Sequence, residues 1–172
     1  MIITFVISQQ KTIPAIRSLV EALCRNYGTH IERTLPASSK LSEAGSSPFA
    51  FPTPEQLSRA SLDDLLALKL GYRAKYIAVT ARTIASGQIS LEKIYDMRYH
   101  QAKKELMKLC GVGEKVAECI CLFALHHMDA FPIDTHIRQV MDVHYKRGFP
   151  NRRYRGMRGI MQQYIFYYDL YS

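Results

Sequence analysis

Apolar side chains recur three and four positions apart along most of the chain, and no sustained apolar–polar alternation appears. That pattern predicts helices and no sheet, an all-α fold class. Met1–Ile7 is apolar and gives way to Ser8-Gln9-Gln10-Lys11, which reads as the tail of a buried helix. Thr12 followed by Pro14 supplies a cap and a first-turn proline for a helix over Ile13–Tyr27, stopped by Gly28. Ser, Pro and Gly concentrate over Thr34–Pro52 and predict a loop. Thr53-Pro54-Glu55-Gln56 combines a capping box with a first-position proline, and Ser61-Leu62-Asp63-Asp64 opens another short helix. A longer helix runs from Tyr72 to about Ala85, with Ile77 and Ile84 on one face, before Gly87 ends it. Tyr99–Leu109 is amphipathic and basic, and further helices are predicted over Thr135–Tyr145 and Met157–Tyr168.

Length and composition narrow the picture. The 172 residues, 48% of them hydrophobic, suffice for one compact domain or two small helical lobes and argue against disorder. The apolar runs fall well short of a bilayer span, and no secretory leader opens the chain, so an intracellular protein with no membrane partner is expected. Cys24, Cys110, Cys119 and Cys121 then read as free thiols, and their spacing fits neither a zinc site nor an iron–sulfur run. The net charge of +8 admits either a merely basic protein or one with a polyanionic partner. Its distribution favours the polyanion. Arg138, Lys146, Arg147, Arg152, Arg153, Arg155 and Arg158 face one acid, Asp142, and alternate with Tyr145, Phe149 and Tyr154, which suits a phosphate-tracking surface.

The segment Leu109-Cys110-Gly111-Val112-Gly113-Glu114-Lys115-Val116-Ala117 carries the most information. Two glycines around one valine, between two helical patterns, make a tight hairpin in which glycine permits a left-handed turn and Val112 plugs between the helices. The segment reads either as an ordinary turn or as a nest of N–H groups for an anion such as a DNA phosphate. Lys115 then lies in the first turn of the second helix. The positive helix end and basic neighbours favour an uncharged amine able to attack a sugar carbon, and a solvated or phosphate-contacting lysine is the alternative. Cys119, four residues on, shares its face and serves either a pocket or the core. Asp134 is placed to cap the next helix, and its carboxylate would also stabilise a developing oxocarbenium ion. Gln162 and Phe166, four apart on the last helix, offer an amide for a base edge and a ring for a base plane, unless Phe166 is simply core.

Taken together, that hairpin and Phe131-Pro132-Ile133-Asp134-Thr135-His136, with Asp134 nineteen positions after Lys115, closely resemble the helix-hairpin-helix/Gly-Pro-Asp DNA glycosylase superfamily. Cys110 stands where that family usually has proline. The resemblance implies a helix-hairpin-helix glycosylase fold of two helical lobes with an interlobe cleft, over residues 1–172, with the hairpin at about 100–128. It also implies that Lys115 is a Schiff-base nucleophile and Asp134 the shared catalytic aspartate, which argues against branches that lack the lysine. The endonuclease III branch, which acts on oxidised pyrimidines, also has the lysine, but its C-terminal iron–sulfur cysteines have no counterpart here, so no such cluster is expected.

The rest of the chain is more similar to the 8-oxoguanine DNA glycosylase/AP lyase branch. Leu70-Gly71-Tyr72-Arg73-Ala74-Lys75-Tyr76 resembles its wedge segment, in which a tyrosine and an arginine press on the opposite strand. Cys119 matches its pocket cysteine, and Gly159–Phe166 matches its closing helix, which gives base-pocket roles to Gln162 and Phe166. The resemblance further implies DNA contacts at Gln10, Tyr72, Arg73, Gly111, Gly113, Val116 and His136, and a monovalent cation at the hairpin carbonyls. Ala15 falls where the eukaryotic members carry a cytosine-recognising arginine, so only weak preference for cytosine opposite the lesion is expected. The family's N-terminal β-rich domain has no counterpart in the 172 residues. The expectation is a monomeric base-excision enzyme acting on double-stranded DNA with a damaged base, in the cytoplasm or nucleoid, or the nucleus of a eukaryote. The rival readings are an endonuclease III-like enzyme for an oxidised pyrimidine and a non-catalytic DNA-binding fragment.

Overall fold

The computed structural model of the chain describes residues 1–31 and 48–171. Ten helices form among them: α1 (Ile2–Ser8), α2 (Ile13–Tyr27), α3 (Pro54–Ser58), α4 (Leu62–Ala67), α5 (Arg73–Ala85), α6 (Leu91–Tyr95), α7 (Tyr99–Leu106), α8 (Glu114–Phe123), α9 (Thr135–His144) and α10 (Arg158–Tyr171). Extended pairing among the described residues is limited to one isolated bridge, His30 with Phe49. Positions 34–47 of the expected loop lie outside the described residues. No helix among the described residues is long and apolar enough to cross a membrane.

The chain divides into two compact units, Val6–Ile89 and a second formed by Met1–Phe5 with Ser90–Ser172. In the Val6–Ile89 unit, α3 and α4 pack on α5 and bury Leu57, Leu65, Leu70 and Ile77 almost completely. Burial of each such side chain contributes roughly 2 kcal/mol. The Thr53 capping box forms in both directions, with the Thr53 N–H donating to Gln56 Oε1 at 2.8 Å and the Gln56 N–H to Thr53 Oγ1 at 3.3 Å. Tyr72 is the cap residue of α5 rather than its first helical one.

In the other unit α7 packs on α8 and α9 on α10, with Ala102, Leu106, Leu109 and Ile120 buried between them. The short helix α6 escaped the periodicity reading because five residues hold too few apolar positions to define a face. The start of α10 is seated by two backbone donors: the Gly159 N–H donates to the Met128 carbonyl at 2.7 Å, and the Gly156 N–H to the Asp129 side chain, at Oδ1, at 2.7 Å. A Cβ on Gly159 would come within 2.4 Å of Leu122 Cδ1 and 2.5 Å of the Ala130 carbonyl oxygen. The backbone oxygen cannot yield without moving the segment that carries it. Gly159→Ala is therefore expected to destabilise the protein by about 1–3 kcal/mol through overpacking, read as a lowered urea midpoint with unchanged m-value.

Candidate active site

Between α7 and α8 the chain reverses through Gly111, whose φ of +79° lies in the left-handed region. Val112 is buried and its N–H donates to Leu109 O at 3.1 Å, so it does plug the hairpin. Gly113 departs from expectation. Its φ of −83° is open to any residue, and a Cβ there would meet nothing within 4 Å. It caps α8 with open space before it, leaving room for a group from outside the chain. Val116 has a side chain that is only 6% exposed and packs into the core. Any contact it makes with a ligand at the helix start is limited to its backbone N–H, one of the first-turn amides that lack a carbonyl partner within the helix.

Lys115 is exposed beside Glu114 and, with Glu114, Glu118, Phe131, Ile133 and Arg138, lines a cavity of about 390 Å³. Burial pushes the Cys119 thiol up, against the pull of Lys115, which hydrogen-bonds with it, while the Asp134 charge pushes it further up. Lys115 and Cys119 lie one turn apart on α8, and the Asp134 charge reaches the same thiol. Asp134 caps α9 through Oδ1, which accepts the Ile137 N–H at 2.8 Å. A larger apolar cavity of about 650 Å³ lies along α9 and α10, lined by His144, Tyr145, Tyr164 and Tyr168 among others, and includes none of the predicted site residues.

On α10, Gln162 is only 3% exposed and its Oε1 accepts from Gln163 Nε2, so the amide is held by the protein rather than presented openly. One turn later Phe166 meets His136 edge-on, with ring centroids 5.1 Å apart at 78°. His136 Nε2 also approaches Asp169 Oδ2 at 3.0 Å, which a phosphate would have to displace. In the Val6–Ile89 unit, Tyr72 is 48% exposed and packs edge-on against Tyr76, and Gln10 is exposed with φ of +53°. Arg73, expected to press on the opposite strand, is withdrawn from the surface. It is 4% exposed, with Nε and Nη2 donating to the Gln9 carbonyl and Nη1 to the Leu70 carbonyl.

The basic segment divides. Arg138, Lys146, Arg147, Arg152, Arg153 and Arg155 are exposed, but Arg158 is engaged by Asp129 at 3.1 Å and Asn151 at 3.3 Å. The interleaved aromatics do not form a row of stacking platforms either. Phe149 is buried, and Phe131, Tyr145 and Tyr154 gather around it with centroids 4.8–5.6 Å away. Sheltering these rings from water outweighs exposing them in a segment this rich in charge.

Residues 3–154 match the family described as "HhH-GPD superfamily base excision DNA repair protein". The chain belongs to that superfamily. It is 34% identical over 156 residues to the N-glycosylase/DNA lyase of Saccharomyces cerevisiae, covering 84% of this chain and 39% of the yeast protein. Among solved structures it is similar to the Clostridium acetobutylicum 8-oxoguanine glycosylase/lyase in its apo form, with a TM-score of 0.83 and 31% identity over 97% of this chain and 58% of that one. The same enzyme in complex with double-stranded DNA containing cytosine opposite 8-oxoG matches with a TM-score of 0.82 and 31% identity, over 98% of this chain and 58% of that one. The helix-hairpin-helix glycosylase fold is thus shared, while the chain spans well under two thirds of these relatives' length.

Within this HhH-GPD chain one functional residue escaped the sequence reading. Glu118 is a buried carboxylate whose Oε1 accepts from Tyr99 OH at 2.6 Å and pairs with Lys103 Nζ at 2.6 Å, while its Oε2 accepts the Phe131 N–H at 2.8 Å. It thereby ties α7 and α8 to the segment that leads to Asp134. The electrostatic consequences are visible around it. Burial pulls Lys103 down, but the Glu114 and Glu118 carboxylates outweigh that and hold it above its ordinary value. Burial and Glu118 together push Tyr99 up and Cys121 up to about 12. The available signal was a charged residue among apolar ones in Val116–Leu122, a position where water alone would not satisfy it. Glu118→Ala should destabilise the protein by about 1–3 kcal/mol, because it leaves the Tyr99 hydroxyl and the Phe131 N–H without their acceptor, while Lys103 keeps its pairing with Glu114. Glu118→Gln, which keeps the shape and one of the two accepting oxygens, should lose less in the same chemical-denaturation experiment.

Proposed function

We propose that this chain is the catalytic portion of a base-excision DNA glycosylase/AP lyase that flips a damaged nucleotide out of double-stranded DNA and removes an oxidised purine, 8-oxoguanine. The observation that carries the reading is Lys115 in the exposed first turn of the hairpin helix α8, with Cys119 one turn on and the charge of Asp134, which caps α9, felt at the same thiol. The names of the yeast and Clostridium relatives support it.

In this mechanism the nitrogen lone pair of Lys115 attacks the sugar C1′ as the glycosidic bond breaks, and the bonding pair leaves with the base. The Asp134 carboxylate stabilises the positive charge that develops on the sugar. Loss of a proton from nitrogen and opening of the sugar ring give an imine. Removal of a C2′ proton then expels the 3′ phosphate by β-elimination. The first-turn amides of α8 and the open space before Gly113 receive a phosphate, and the exposed arginines from Arg138 to Arg155 add sequence-independent affinity. Gln162 and Phe166 take the base edge and plane, which requires Gln163 to release the Gln162 amide. Carbonyl oxygens of the hairpin turn are the uncharged donors that suit a monovalent cation, which would add a charge for the same phosphate. The protein acts as a monomer where the DNA is, in the nucleoid or the nucleus.

Two substitutions test the chemistry. Lys115→Ala should abolish covalent DNA complexes trapped by borohydride across a panel of oxidised-purine and oxidised-pyrimidine duplexes; undiminished trapping removes Lys115 from the mechanism. Asp134→Asn keeps an oxygen for the Ile137 N–H and so keeps the cap, yet loses the charge. It should bind lesion duplex normally while base release slows about 100-fold or more. Parallel loss of binding and chemistry would reduce Asp134 to a cap.

A further inference from the structure

Arg73 is placed to hold protein and poorly placed to hold a base. Its guanidinium is buried, with Nε and Nη2 on the Gln9 carbonyl, Nη1 on the Leu70 carbonyl at 3.4 Å, and its face over the Tyr72 ring at 4.4 Å. Each of those contacts adjoins a protruding tip of the Val6–Ile89 unit. The Gln9 carbonyl leads directly into Gln10, which is exposed and held at φ +53°, a conformation that a residue with a Cβ avoids unless its neighbours impose it. Leu70 sits within a second turn, between Lys69 at φ +61° and Gly71 at φ +59°, from which the half-exposed Tyr72 ring projects. One planar cation therefore pins two tips that lie far apart in sequence. The fork geometry of arginine suits this, because two of its nitrogens can reach one carbonyl while a third reaches another.

We propose that Arg73 is a positioning residue that holds Gln10 and Tyr72 as a rigid two-pronged wedge against the strand opposite the lesion, without itself reading the opposite base. This rests on the glycosylase reading above. An aromatic ring pressed between base steps unstacks them, and an amide side chain can occupy the space vacated by a flipped nucleotide. Both actions need the side chains fixed before the DNA arrives, and neither distinguishes strongly among opposite bases. Ala15 has no donor to offer either, so the wedge works by shape.

The test uses the full chain and a duplex carrying a tetrahydrofuran abasic analogue with 2-aminopurine opposite it, whose fluorescence reports unstacking without any chemistry. Wild-type protein should raise the fluorescence on binding. Arg73→Met and Gln10→Ala should each lose at least half of that rise, and the double variant should be no worse than the poorer single one, as expected if Arg73 acts through Gln10. Excision by Arg73→Met should fall roughly tenfold and evenly across the four opposite bases. Arg73→Lys, which keeps one donor, should recover part of both signals and stands in if the methionine variant does not fold. A loss confined to one opposite base, or additive effects in the double variant, overturns the proposal while leaving the glycosylase reading intact. A wild-type protein that binds the abasic duplex no better than undamaged DNA defeats both.

Discussion

A carboxylate taken out of water has to be met by donors, and at Glu118 those donors come from α7 and from the backbone at Phe131. The residue sits on α8 between Lys115 and Cys119 on one side and Cys121 on the other, so whatever anchors it also sets the rotation of the helix that carries Lys115. The Phe131 bond fixes where the following segment starts, and three residues later that segment delivers Asp134. Apolar packing alone would hold α7 against α8 with less orientational demand, since dispersion contacts tolerate small slides and a buried ion pair with two further hydrogen bonds does not. The relation of Lys115 to Asp134 is in this sense imposed from the buried side.

The exposed side of α8 is governed by a different constraint. A helix start leaves several N–H groups without carbonyl partners. Here Gly113 puts no side chain over them, although neither its backbone angle nor any neighbour requires glycine. The chain thus leaves unfilled a site where an anion is the natural complement. In the proposed mechanism, phosphate binding at the hairpin and nucleophile placement in the first turn of the same helix would be two consequences of one local geometry, since a DNA backbone held at those amides would come to the amine beside them.

In the Val6–Ile89 unit the governing feature is the Arg73 guanidinium. Arginine is always charged, so burying it demands acceptors of fixed position, and two backbone carbonyls provide them. The neighbouring tips at Gln10 and Tyr72 gain rigidity from a group that is itself withdrawn from the surface. The same logic explains Arg158. Once Asp129 and Asn151 engage it, its contribution to a phosphate surface gives way to holding the entry of α10.

By itself the sequence determined the helices that have recognisable ends and the identity of the chemical groups. The Thr53–Gln56 capping box, Ser61 and Asp134 mark helix starts found where their caps place them, because capping is decided by residues three or four positions apart, and α2 starts after Thr12 with Pro14 in its first turn although the Thr12 side chain makes no cap bond. The Gly111–Lys115 spacing was legible for the same reason, and with Asp134 it carried the family. Charge and residue type were not enough to say which side chains face outward. Arg73, Arg158 and the aromatic residues interleaved with the basic segment were read as surface groups, yet Arg73 and Phe149 are buried and Arg158 is engaged by Asp129, far from it in sequence. Glu118 was missed because its meaning depends on Tyr99, Lys103 and Phe131, none of which lies within one helical turn of it. Burial of a polar group is settled by whether donors and acceptors from elsewhere in the chain converge on it, and only the tertiary structure brings them there.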